Sequence, residues 1–172
     1  MSSSLSKKTA YLLIALVGIA LDQLTKWEIL AHFQEDERLN IIPSLFDLTL
    51  AYNPGAAFSF LADQDGWQKF FFLGLALVIS AYLARAILRD EFRLSGKIGA
   101  AMIIGGALGN VIDRLIHGHV VDFLLFYWKD WYYPAFNVVD SFICVGAVLL
   151  VLDGLFHKKE PKPTDAPTTD NP

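Results

Sequence analysis

The chain has 172 residues, 54% of them hydrophobic and 19% charged, with a net charge of −4 and a mean hydropathy of +0.41. Soluble domains carry about 25% charged residues, so this composition is too apolar for an ordinary soluble enzyme, and its net charge offers no nucleic-acid signature. The single cysteine, Cys144, excludes an internal disulfide and, lying in an apolar run, reads as a small buried hydrophobe.

Four long apolar runs lie at 10–30, 68–88, 98–116 and 135–156, each close to the ~20 residues that a membrane helix needs. None is free of charge throughout; the uncharged stretches are Thr9–Leu21, Phe70–Ala84, Ile98–Ile112 and Ser141–Leu152. The first run also has a cleavable-signal reading, because Lys7 and Lys8 precede an apolar stretch containing Gly18-Ile19-Ala20. Four crossings place the two termini and the loop after the second run on one side. That side collects nine Lys and Arg residues, against five on the other, which predicts cytoplasmic termini.

Between the first two runs, residues 31–66 form one sizeable external loop. Within it Phe46, Leu48, Leu50 and Tyr52 alternate with Asp47, Thr49, Ala51 and Asn53. This period of two predicts a strand with one apolar face, ending at the Asn53-Pro54-Gly55 turn. The segment 124–136 is rich in aromatics (Phe126, Tyr127, Trp128, Trp131, Tyr132, Tyr133) that suit a membrane-interface belt or a gate over a site. Residues 1–159 are expected to form a single integral membrane domain, and 160–172, made of Pro, Thr and Asp, a disordered cytoplasmic tail.

Ionisable residues inside spans are costly, and each is therefore a functional hypothesis. Asp22 and Lys26 lie four apart on one helix face. Asn110, Asp113 and Arg114 share a face at the outer end of the third helix, and Asn137 and Asp140 share one at the outer start of the fourth. Asp122 lies between them. The polar groups of three helices, with Asn53 from the outer loop, thus fall at one depth, near the outer leaflet boundary. Taken residue by residue, Asp22–Lys26 also reads as a structural ion pair, Asp113 and Arg114 as a neutralised helix end, and Asn53 as a turn residue. Asn110, after Gly105, Gly106 and Gly109, reads as close helix packing, and Asp153 as an inner helix boundary. Asp122 and Asp140 differ, since neither has a Lys or Arg partner at i±3 or i±4 and both sit in apolar surroundings (VVDFLLF and NVVDSFI). A transporter or proton-coupled channel would spread its polar groups through the bilayer depth. The spacing of His117, His119 and Asp122 does not match the helical HExxH pattern of a metallopeptidase.

The stretches LDQLTK (21–26), AYNPGAAFSF (51–60), GGALGNVIDR (105–114), GHVVDF (118–123) and PAFNVVDS (134–141) together resemble the lipoprotein signal peptidase (signal peptidase II) family, in order and spacing, across residues 20–153. The resemblance implies an all-α membrane protein with four transmembrane helices and a small β-rich extracytoplasmic cradle, in the bacterial inner membrane, with its active site near the periplasmic face. It implies an aspartic endopeptidase whose catalytic pair is Asp122 and Asp140. The supporting positions it implies are Asp22, Lys26, Asn53, Gly106, Asn110, Asp113, Arg114 and Asn137. The implied partners are membrane lipid and diacylglyceryl-modified prolipoproteins, cut before the lipidated cysteine. A monomer with no cofactor, no metal and no nucleic acid is expected. One departure stands beside the second aspartate: the family commonly has Ala where this chain has Val139.

Overall fold

Helix α1 (Ser2–His32) begins the computed structural model, which describes residues 2–55 and 67–156. The expected tail at 160–172 and the end of the external loop, 56–66, lie outside the described residues. The 31 residues of α1 extend roughly 47 Å at ~1.5 Å each, well beyond a hydrocarbon core of ~30 Å. Its last turns carry the sheet: Ile29 packs with Leu50, Val121 and Phe123, flanked by Leu30 and, just past the helix, Phe33.

Helices α2 (Trp67–Leu88), α3 (Leu94–Ile116) and α4 (Val138–Phe156) follow. Among the described residues, Lys69–Leu88, Leu94–Ile116 and Val138–Phe156 are long and apolar enough to cross a membrane. Helix α1 carries Asp22, Lys26 and Glu28 in its C-terminal half, yet packs along α3 and α4 as the fourth member of the bundle. Ala15 is buried against Gly105, and Gly18 lies under the Phe142 ring.

Helix α3 is central and touches each of the other three. Small residues bring the backbones together, as membrane helices require when no hydrophobic effect separates helix from lipid. A Cβ at Gly99 would stand 2.6 Å from the Gly146 carbonyl oxygen, and one at Gly105 would stand 2.8 Å from that of Ala15. At the end away from the sheet, the buried carboxylate of Asp153 on α4 accepts from Ser95 Oγ (2.8 Å), Gly96 N (3.1 Å) and Arg93 N (3.3 Å). It caps the first turn of α3, whose own N-cap side chain makes no such bond. Asp153 thus has the helix-boundary role expected of it, but for a neighbouring helix.

The sheet is antiparallel with the order β1 (Arg38–Ile42), β2 (Phe46–Asn53), β3 (Val120–Trp128), β4 (Trp131–Tyr132). Strand β2 forms where the alternation predicts it, but its buried face is not the simple apolar one. A register shift between Leu48 and Ala51 buries Leu50 together with Asp47 and Thr49. Asp47 accepts from Asn40 Nδ2 (2.7 Å), and Thr49 donates to the Glu37 carbonyl (2.8 Å). The aromatic segment is largely strand: β3 and β4 form a hairpin turning at Lys129, with Trp128 and Trp131 exposed and Tyr127 stacked on Tyr132. Strand β3 escapes a period-two reading because Val120, Val121, Asp122 and Phe123 are all buried, with β3 packed against both α1 and α3.

Overpacking the closest approach tests this account. Gly99→Val should lower the melting temperature of the detergent-solubilised protein, at a cost of about 1–3 kcal/mol. Gly154→Ala, where an added Cβ meets nothing within 4 Å, should leave it unchanged or slightly raised.

Candidate active site

Asp122 sits on β3 opposite Ala51 of β2, with 2% of its surface exposed. Two amides approach it from different elements. Asn53 Nδ2 donates to Oδ2 at 3.0 Å, and Asn137 Nδ2 donates to Oδ1 at 2.8 Å. The Asn53 amide is fixed in this sense because its Oδ1 accepts from Gly55 N (2.9 Å), closing the turn. Asn53 is therefore both the turn residue and an Asp122 partner. Gly55 lies at φ +109°, and a Cβ there would meet the Phe72 ring at 2.6 Å, so only glycine closes this turn without strain. Burial, and next to it the charge of Asp140, push the Asp122 carboxyl up to about 7, against the lowering effect of the two asparagine bonds and Lys26.

Asn137 is the residue before α4, and Asp140 is the third residue of that helix. The two form a reciprocal cap: Asp140 N donates to Asn137 Oδ1 (2.9 Å), and Asn137 N donates to Asp140 Oδ2 (3.1 Å). The expected shared face is thus a helix start. Asn110 of α3 donates from Nδ2 to Asp140 Oδ1 at 2.9 Å, and its own Oδ1 accepts from Asn137 Nδ2 (3.2 Å) and Lys26 Nζ (3.3 Å). Asn137, fully buried, therefore touches both Asp122 and Asp140.

Beneath this pair lies a second buried cluster. Lys26 Nζ is 2.7 Å from Asp22 Oδ2 and 2.7 Å from Asp113 Oδ2, with all three side chains at most 3% exposed. Asp113 is thus paired across helices with Lys26 and not with the adjacent Arg114. It also accepts from Val121 N (3.0 Å) at the start of β3 and from Gln23 Nε2 (2.9 Å). Gln23 is the participant that sequence reasoning passes over; its position beside Asp22 in LDQLTK is the only signal for it. Asp22 Oδ1 accepts from Val139 N at 3.4 Å. The extra bulk of Val139 is accommodated by glycines of α3, since its methyl groups fill the space that a side chain at Gly109 would need and its carbonyl lies over Gly106.

Arg114 lies apart from that cluster. Its Nη1 donates to the Asn110 carbonyl (3.3 Å), its guanidinium stands 5.2 Å from the Phe72 ring centroid, and it is within Coulombic reach of both Asp122 and Asp140. Its buried Nε has no partner among the described residues. His119 packs tilted against Tyr52 at 4.1 Å and stacks with His117 at 6.0 Å; among the described residues no three acids, histidines or cysteines gather as a metal-binding set. A cleft of about 550 Å³ opens at Asp140, lined by Phe126, Trp131, Tyr133, Phe136, Ser141, Cys144 and Val145. Cys144 is therefore exposed along this cleft and not the buried hydrophobe that its apolar run suggests.

Residues 14–156 match the family model of signal peptidase (SPase) II. The chain is 73% identical over 164 residues to the lipoprotein signal peptidase of Neisseria meningitidis serogroup C, covering 95% of this chain and all of that one. It is 51% identical over 143 residues to that of Chromobacterium violaceum, covering 83% and 88%. A solved bacterial membrane enzyme superposes with a TM-score of 0.77 at 28% identity, over 87% of this chain and 95% of the other. Fold and comparisons together define a multi-pass bacterial membrane protein, an aspartic peptidase. The chain belongs to the signal peptidase II family and has lipoprotein signal peptidase activity.

The buried lysine makes a prediction of its own. Lys26→Met leaves Asp22 and Asp113 facing each other uncompensated, and should destabilise the protein by about 3–5 kcal/mol, read as a lower melting temperature in detergent. Adding Asp113→Asn to Lys26→Met should recover part of that loss.

Proposed function

We propose that this chain cuts diacylglyceryl-modified prolipoproteins before the lipidated cysteine, with Asp122 and Asp140 as the catalytic pair that activates a water. The observation that carries this reading is the double engagement of Asn137, which hydrogen-bonds an oxygen of each carboxyl group. Two acids held this close do not readily ionise together. One is left ionised to take a proton from water, while the other is protonated and donates to the scissile carbonyl.

The surroundings support the substrate class. A signal peptide is itself a membrane helix, and its scissile bond arrives at the depth where the bundle meets the sheet. The cleft at Asp140 has an almost wholly apolar wall, which suits a lipid-modified segment. Asn53, Asn110 and Asn137 hold the carboxylates, Arg114 supplies a nearby positive charge, and Asp22, Lys26 and Asp113 tie α1, α3 and β3 together beneath them. Gly106 lets α4 approach α3 at this level. The Lys and Arg distribution supports cytoplasmic termini, with the site at the periplasmic face of the inner membrane. Residues 1–159 act as one peptidase domain, with 160–172 as a cytoplasmic tail. One chain supplies both carboxylates and their partners, so the enzyme acts as a monomer.

Asp122→Asn and Asp140→Asn should each lower cleavage of a lipidated precursor by at least about 10²-fold in a reconstituted assay, with insertion and melting temperature largely kept. Substantial turnover by either variant would remove the pair from the mechanism.

A further inference from the structure

The two carboxylates differ in how their surroundings treat a negative charge, and that difference distributes the roles. Asp140 lies in the first turn of the 19-residue helix α4, where the unpaired backbone N–H groups and the helix dipole favour an anion. Both its oxygens meet fixed donors. Oδ2 accepts a backbone N–H, which has only one sense. Oδ1 accepts from Asn110, whose amide cannot be turned round because its oxygen faces the lysine ammonium, a donor with no acceptor capacity. Asp140 is also partly exposed, at the wall of the cleft.

Asp122 has none of the helix or solvent contribution. It lies on a strand, 2% exposed, with one side-chain amide on each oxygen. The charged groups facing it are Asp140 from α4, which repels its charge, Lys26 from α1, whose ammonium is shared between Asp22 and Asp113, and Arg114 from α3. Burial of an acid without a dedicated cation keeps the proton on it.

We infer that Asp140 is the anionic base that deprotonates the attacking water and that Asp122 is the protonated acid that serves the scissile carbonyl. This assignment rests on the catalytic pair proposed above. Water gives a proton to Asp140 as its oxygen bonds to the carbonyl carbon, and the carbonyl oxygen takes the proton of Asp122, giving a neutral gem-diol. In the second half the proton on Asp140 passes to the leaving nitrogen and one hydroxyl proton returns to Asp122. The C–N bond breaks, and acid and amine products leave the pair as it began. The elevated Asp122 carboxyl, near 7, agrees with this order: the active form is protonated there, so activity is kept below that pH and falls as pH rises through it.

Two measurements on the full-length protein in detergent or nanodiscs test the assignment. Below about pH 7, the infrared difference between wild type and Asp122→Asn should contain a lost protonated-carboxyl C=O band, and the difference with Asp140→Asn should not. A lost band with Asp140→Asn alone, with both variants or with neither would overturn the assignment, while leaving the catalytic pair itself to be judged by turnover. In the pH profile of kcat/KM for precursor cleavage, Asn53→Ser keeps an acceptor for Gly55 N but is too short to donate to Asp122. It should move the alkaline limb upward by roughly one unit with the acid limb unmoved. Movement of the acid limb, or of neither, would overturn the assignment.

Discussion

The lysine ammonium at the centre of the bundle has three protons and three acceptors: Asp22, Asp113 and Asn110. A charge in an apolar layer persists only when fully compensated, and here that compensation fastens α1 to α3. Asp113 also accepts from the Val121 N–H, which fixes the start of β3 and hence where Asp122, the next residue, is held. Asn110 uses its amide nitrogen on Asp140. Both members of the pair are thus referred to one buried cation that touches neither of them directly among the bonds described.

Asparagine is the recurrent side chain around the carboxylates for a physical reason. It brings donors without adding charge, so it steadies a carboxylate in a low-dielectric site without locking it in the ionised form as an arginine or lysine would. Each of the three amides has its oxygen engaged, by Gly55 N, by Lys26 with Asn137, or by Asp140 N, and this leaves each nitrogen pointing at an acid. The two carboxyl groups are therefore held in geometry by neutral donors.

The placement of the sheet follows from the length of α1. Helix α1 continues past Lys26 and offers Ile29 and Leu30, with Phe33 just beyond its end, to Leu50 of β2 and Val121 and Phe123 of β3. Asn53 and Asp122, carried on those neighbouring strands, are brought over the ends of α3 and α4, and the aromatic hairpin of β3 and β4 walls the cleft beside Asp140.

The sequence by itself determined the four helices, the strand ending at Asn53 and the depth at which the polar residues gather, because each depends on local periodicity and on the cost of charge in an apolar run. It also singled out Asp122 and Asp140 as acids without local cations. Only the tertiary structure decided that Asp113 pairs with Lys26, that Gln23 joins them, that Asn137 reaches both acids and that Cys144 faces a cleft. Those contacts depend on the rotation of one helix against another, set by glycine contacts that carry no directional signal in the chain. Strand β3 was hidden for a related reason: covered on both faces, it lacks the alternation by which a half-buried strand is read.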